Sequence, residues 1–229
     1  MLAVGVRFGL IFCAALALLP GQPPIAGRAG LIYYAEGDLR LNDRHLERFI
    51  PMVRVRSGDR LRVVDGRAEV LLQPGNFLRM AEGSEFEMRS DALSHVDLVF
   101  HGIAILDIGA ASSVQAWCGG FVSKILKPGT YRFECGVDQR TDSLIVRQGH
   151  ARVAGHERSI DVGGNYVLIL NAAMKAVPVR GRSLDSFDEW NAARASLLAP
   201  YRRERKIMER QSPPAGVIVI PRDPYPSPN

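Results

Sequence analysis

Three glycines constrain this chain more than any other feature, because each recurs in the same setting. Gly66-Arg67-Ala68-Glu69-Val70, Gly102-Ile103-Ala104-Ile105-Leu106 and Gly149-His150-Ala151-Arg152-Val153 share a glycine, an alanine two residues on and an apolar residue four on. Each copy follows an apolar run, ending respectively at Val64, Phe100 and Val146. Glycine turns the chain between two strands at little steric cost. The small alanine lets backbone layers approach, and the apolar residue after it points to the core. Spacings of 36 and 47 residues predict strand pairs arranged as successive layers of a β-roll or solenoid. The competing reading is a β-sandwich whose hairpins share such turns by chance; the two differ in whether the glycines are related in space.

Between residues 31 and 182 the rest of the pattern agrees with an all-β fold. Leu39-Arg40-Leu41, Val53-Arg54-Val55-Arg56, Leu61-Arg62-Val63 and Phe77-Leu78-Arg79-Met80 alternate apolar and charged residues. A period of two sends one face to the core and the other to water. Arginine at the outward positions discourages sheet edges from pairing with other chains. Ser57-Gly58-Asp59, Asp65-Gly66, Pro74-Gly75-Asn76, Pro128-Gly129 and Gly163-Gly164-Asn165 are read as turns.

Near residue 183 the character changes to a helical segment spanning 183–211. Ser186 with Glu189 forms a capping-box pattern, and Asp185 and Asp188 favour the positive helix start. Phe187, Trp190, Arg194, Leu197, Leu198 and Tyr201 predict one apolar stripe docked on the β body, with Phe187 and Trp190 buried. Pro200 is expected to kink or end the helix. Residues 202–210 read as a solvated, mainly basic face. The tail, 212–229, holds six prolines and is expected to be extended, with residues 216–220 able to add an edge strand.

Residues 1–29 read as a secretory signal. Arg7 supplies the positive start, residues 9–19 an apolar core too short to span a bilayer comfortably, and Gly27 and Ala29 a small-x-small cleavage site. The alternative is an uncleaved anchor. Cleavage removes Cys13 and leaves Cys118 and Cys135, an even pair in an oxidising compartment. Both lie in strand-like segments on either side of Lys127-Pro128-Gly129, and a disulfide between neighbouring strands is the favoured reading over two buried thiols. The formal charge of +5 falls to +3 once Arg7 and Arg28 are removed. Such a mild balance, without a clustered basic and aromatic face, argues against nucleic acid.

One stretch resembles a known family. Val53-Arg54-Val55-Arg56-Ser57-Gly58-Asp59-Arg60-Leu61, followed by residues 67–80, looks like a FecR-type domain, with a Gly-Asp before a strand, then an Ala-containing apolar strand, a Gly turn and another alternating strand. Residues 127–133 and 144–153 are similar to the later half of stand-alone exported members. Asp185-Ser186-Phe187-Asp188-Glu189-Trp190-Asn191 with Arg194 matches the aromatic helix that often closes them. The resemblance covers about residues 35 to 198. It implies a periplasmic all-β domain. In regulatory members that domain senses an outer-membrane transducer and relays to a cytoplasmic sigma-factor-binding segment. Here about eight residues precede the apolar segment, so the expected form is a stand-alone one without that segment.

Signatures of chemistry are sparse. His45, His95, His101, His150 and His156 show no metal-ligand spacing. No Gly-x-Ser-x-Gly elbow and no phosphate-cradling loop occurs. Asp65, Glu69, Glu82, Glu85 and Glu87 read as solvated, although a glycosidase pair assembled in space is invisible to sequence. Tyr33, Tyr34, Trp117, Tyr131 and Tyr166 are candidates for a sugar or peptide surface, against the plainer reading of core and cross-strand aromatics. The expectation is therefore a periplasmic or secreted non-catalytic module, without cofactor or metal, that binds an envelope protein or glycan. The alternatives are a periplasmic carbohydrate-active enzyme and an envelope signalling regulator with an uncleaved anchor.

Overall fold

A computed structural model describes residues 29–46, 53–109, 113–137, 142–180 and 184–211. The expected signal, apart from Ala29, and the Pro-rich tail with its candidate edge strand lie outside the described residues. Fourteen strands precede one helix: β1 Leu31–Leu41, β2 Arg44–Leu46, β3 Arg60–Gln73, β4 Asn76–Met80, β5 Glu85–Ala92, β6 His95–Ile108 and β7 Val114–Cys118. They continue as β8 Phe121–Ile125, β9 Gly129–Cys135, β10 Ser143–Gln148, β11 His150–Gly155, β12 Arg158–Gly163, β13 Tyr166–Ile169 and β14 Ala176–Pro178, then α1 Ser186–Gln211. The fold is all-β with a C-terminal helix.

All fourteen strands belong to one hydrogen-bonded sheet that folds over into two layers. The first half of β3 pairs with β5 and its second half with β4. The first half of β6 pairs with β5 and β7, its second half with β4 and β9. Likewise β10 pairs with β9 and β13, whereas β11 pairs with β8 and β12. The first layer thus runs β2, end of β1, start of β3, β5, start of β6, β7, β8, β11, β12. The second runs start of β1, end of β3, β4, end of β6, β9, β10, β13, β14.

The chain crosses between layers at the three repeat glycines. Gly66 has φ 85°, Gly102 φ 89° and Gly149 φ 105°. Gly66 and Gly102 lie inside single long strands, so Asp65-Gly66 is not a turn between strands but a bend that hands one strand from layer to layer. A Cβ at Gly66 would strike the Glu36 carbonyl, and one at Gly102 the Ser84 backbone. Ala68, Ala104 and Ala151 are buried behind the three bends.

The layers enclose one core. Leu61, Val63, Phe86, Met88, Val96, Leu98, Phe100, Ala116 and Val153 point inward from the first layer. Val70, Leu72, Leu78, Met80, Leu106, Tyr131, Phe133, Leu144 and Val146 meet them from the second. Phe100 and Phe133 touch across the gap at 5.2 Å between ring centroids. The Cys118–Cys135 disulfide spans it as well. Cys118 pairs with Phe100 and Cys135 with Gly102 on β6, so the bridge closes around the β6 bend. It joins β7 to β9, which are not hydrogen-bonded neighbours, because β8 intervenes and the Lys127-Pro128-Gly129 turn connects β8 to β9.

The helix departs from expectation in two respects. Its N-cap is Asp185, not Ser186: Asp185 Oδ1 accepts from the Phe187 amide at 3.1 Å and the Asp188 amide at 2.9 Å. And it continues through Pro200 to Gln211. Proline there forfeits one intrahelical bond, while the surrounding Leu, Ala, Arg, Glu and Lys residues favour the helix.

Candidate functional site

A folded-over sheet has two outer faces, and the helix treats them differently. It lies across the second layer, whose outward row, by register, is Tyr34, Glu69, Arg79, Ile105, Arg132, Ile145 and Val167. Charges in this row are buried under α1. Arg79 Nε donates to Glu69 at 2.7 Å, and its Nη1 donates to Asp107 at 2.8 Å and to Asn191 of the helix at 2.6 Å. Arg194 Nη2 donates to the same Glu69 at 2.6 Å. Arg132 binds Asp185 through two bonds of 2.9 and 2.7 Å and lies 3.0 Å from Asp188, which Arg147 also reaches at 2.8 Å. The Arg132 guanidinium beside it holds the Asp185 carboxyl well below its usual range, at about 2.

This seal corrects two expectations. Glu69, read as solvated, has no exposed side-chain surface, and neither does Arg79, read as an outward residue guarding an edge. Alternation placed both on the outer face correctly; the helix then covered that face. Nor is the helix held by an apolar stripe alone. Phe187 and Leu198 are buried, but Trp190 is half-buried between Tyr34 and Arg67, and Leu197 is 64% exposed.

No described element covers the first layer's outer face. Its middle row, by register, is Arg60, Glu87, Val99, Trp117, Val122, Ala154 and Ser159. The adjoining row is Ser90, Asp97, Gln115, Lys124, Arg152 and Asp161. Val99, Trp117, Val122 and Ala154 are each half-buried and form a short apolar strip across four strands. Trp117 is fixed in place, since its Nε1 donates to Asp97 at 2.7 Å. The Arg89 guanidinium sits over the ring, 5.0 Å from its centroid. Arg152 binds Asp161 through two bonds of 2.7 and 2.9 Å, and Lys124 is exposed.

The remaining candidates disperse. Of the aromatics singled out from sequence, Tyr33 and Tyr34 belong to the other face, against Phe77 and Trp190. Tyr166 is exposed on β13. Tyr131 is a core residue whose hydroxyl donates to the Lys127 carbonyl at 2.5 Å and accepts from the His150 amide at 2.8 Å, which ties the β8–β9 turn to the Gly149 bend. They do not form one surface; Trp117 alone stands on the open face. The histidines are equally scattered: His45 contacts Asp38, His95 Ser113, His150 Asp161 and His156 Phe121. Among the described residues no group of three metal-ligating side chains comes together. An open depression of about 510 Å³ at the Gly37–Gly66 bends is lined by Glu36, Asp65, Arg67 and Glu82 among others. Asp107 and Glu69 share Arg79 beneath the helix, which leaves them no approach to a glycosidic bond.

No family model matches the sequence, and no curated protein does. Among solved structures, two crystal structures of a proposed anti-sigma factor from Parabacteroides distasonis are similar, at 14% and 15% identity and a TM-score of 0.45 each. The match covers 52% of this chain and 57% of that one, so the chain spans little more than half of that protein's length. No described helix is long and apolar enough to cross a membrane.

Proposed function

We propose that this chain is an exported FecR-like β module, periplasmic or secreted, that binds an envelope protein or glycan through the open face of its first layer and does no chemistry of its own. The observation that carries the reading is the asymmetry of the two outer faces. One is closed by the protein's own helix through buried ion pairs. The other presents a fixed tryptophan amid charged side chains, with no described element over it. Half-buried aromatics flanked by charge are what a binding face needs: contact area at its centre and polar groups at its rim. The strand-and-turn resemblance supports the FecR-like reading, and the signal-like N-terminus supports export.

Two experiments test it. The full chain, expressed with its own N-terminus in a Gram-negative host, is recovered from the periplasm and its N-terminus sequenced. Processing at residues 27–29 supports export, whereas an intact Met1 on a cytoplasmic product contradicts it. The processed protein is then incubated with envelope fractions. Retention lost in Trp117→Ala and Lys124→Glu but kept in Glu189→Gln, on the helix, supports the face; the reverse order of effects overturns it.

A further inference from the structure

Resting on that reading, we infer that the open face takes an acidic polysaccharide, with Trp117 as the stacking platform and Lys124 and Arg89 as the groups that meet its negative charges. Two independent features of the face point there. The first is an unbalanced pair of cations. Lys124 and Arg152 are direct cross-strand partners, and like charges opposite one another on a sheet are destabilising. Asp161 neutralises Arg152 through two hydrogen bonds. Among the described residues Lys124 has no ion-pair partner, and the Arg89 guanidinium meets only the Trp117 ring. Within the described residues neither charge meets a carboxylate, whereas an anion lying along the strip would neutralise both.

The second feature is the tryptophan itself. Strand alternation sends Ala116 and Cys118 into the core and Trp117 outward, and the Asp97 carboxylate holds the indole by its N–H. The Arg89 guanidinium lies over this locked, half-exposed ring; once it turns aside to meet an anionic group, the ring is a rigid apolar plate offered at low entropic cost. The C–H face of a pyranose matches such a plate, and its hydroxyls match the donors and acceptors of the adjoining row, Asp97, Gln115 and Lys124. Diagonal neighbours on a sheet lie about 7–8 Å apart, so Lys124, diagonal to Trp117 through Val122, stands within a sugar's reach of the ring. An acidic protein fits less well. Stable protein interfaces bury about 800 Å² per partner around a charge-depleted centre. The strip here is only four side chains long, with Glu87 at its end and Asp97, Lys124 and Arg152 in the adjoining row.

The chain has two tryptophans, so in Trp190→Phe the fluorescence reports Trp117 alone. That protein is titrated with polygalacturonate, with neutral dextran and with polyglutamate. The inference predicts a saturable change with polygalacturonate that neither of the other two produces. Trp117→Ala, followed by affinity electrophoresis, weakens binding by about tenfold or more, as loss of an aromatic anchor does. Lys124→Glu, an exposed change that sets an opposite charge beside Arg152 and so does not lower the melting temperature, does the same. No response to polygalacturonate, or an equal response to polyglutamate, overturns the inference. Loss of the polysaccharide effect together with Lys124-dependent retention of an envelope protein refutes the glycan and leaves the binding module standing; failure of both refutes the two together.

Discussion

At Gly102 the backbone adopts φ 89° and passes so close to Ser84 that a methyl group has no room. Gly102→Ala combines a left-handed conformation with a backbone collision, and is expected to cost about 3 kcal/mol in urea denaturation. Gly58 provides the control. Its φ is 88° but no atom lies near its missing side chain, so Gly58→Ala should cost only about 1 kcal/mol. Equal losses at the two sites would show that the bend at Gly102 is not a close crossing. A different residue-scale test concerns Arg79. With Glu69, Asp107 and Asn191 all on its guanidinium, Arg79→Ala strips two buried carboxylates of the cation they share, although Glu69 keeps Arg194, and should destabilise by about 3 kcal/mol. A loss below about 1 kcal/mol, the range of exposed pairs, would place the network in solvent. Neither Arg79 nor Glu69 was legible as buried from sequence. Alternation assigned them to the outer face, and outer faces are ordinarily wet; only a helix arriving from over a hundred residues away changes that. Trp117 was only half legible: it stood among five aromatic candidates whose plainer reading was core packing, and it is the inward placement of Ala116 and Cys118 that turns it outward by the period of two.

At the scale of elements, α1 is fastened at its start by charge. Asp185 caps the helix and grips Arg132, and its carboxyl is held at about 2. Its folded value lies below the unfolded one, so its contribution is complete above about pH 4. It fades as pH falls through the interval from about 4 to the folded value. The first turn of α1 should therefore loosen in acid before the sheet does. Fluorescence of Trp190, in a Trp117→Phe background, checks this: a transition between about pH 4 and pH 2 that disappears in Asp185→Asn is the expected outcome. A single transition shared by helix and sheet, unchanged in Asp185→Asn, would contradict it. The sequence placed this helix well because caps and spacing are local. It mistook Ser186 for the cap, since Ser186 fits the motif better; Asp185 wins because Arg132, distant in sequence, fixes its carboxylate. Asp65-Gly66 was misread for a related reason: the same dipeptide makes a turn or a mid-strand bend, and pairing with Gly37 on β1 decides which.

For the whole molecule, the three recurring glycines are what convert a run of alternating strands into two layers with a shared core, and the disulfide secures the layers where β6 crosses. Cys118 and Cys135 are 17 residues apart; closing a loop of that size stabilises by about 2–4 kcal/mol. A reductant should accordingly lower the melting temperature, and an unchanged value would show that the bridge does not form in the folded protein. The roll itself was legible, because hinge glycines and period-two strands are written locally. The unequal fate of its two outer faces was not, because it depends on where the helix lands. That inequality is the centre of the account, and amide hydrogen exchange reads it directly. With envelope material bound, protection is expected along β6, β7, β8 and β11 on the Trp117 side, with exchange in α1 unchanged. Protection confined to α1 and the strands beneath it would contradict the account, because the partner would then bind the face that the protein closes for itself.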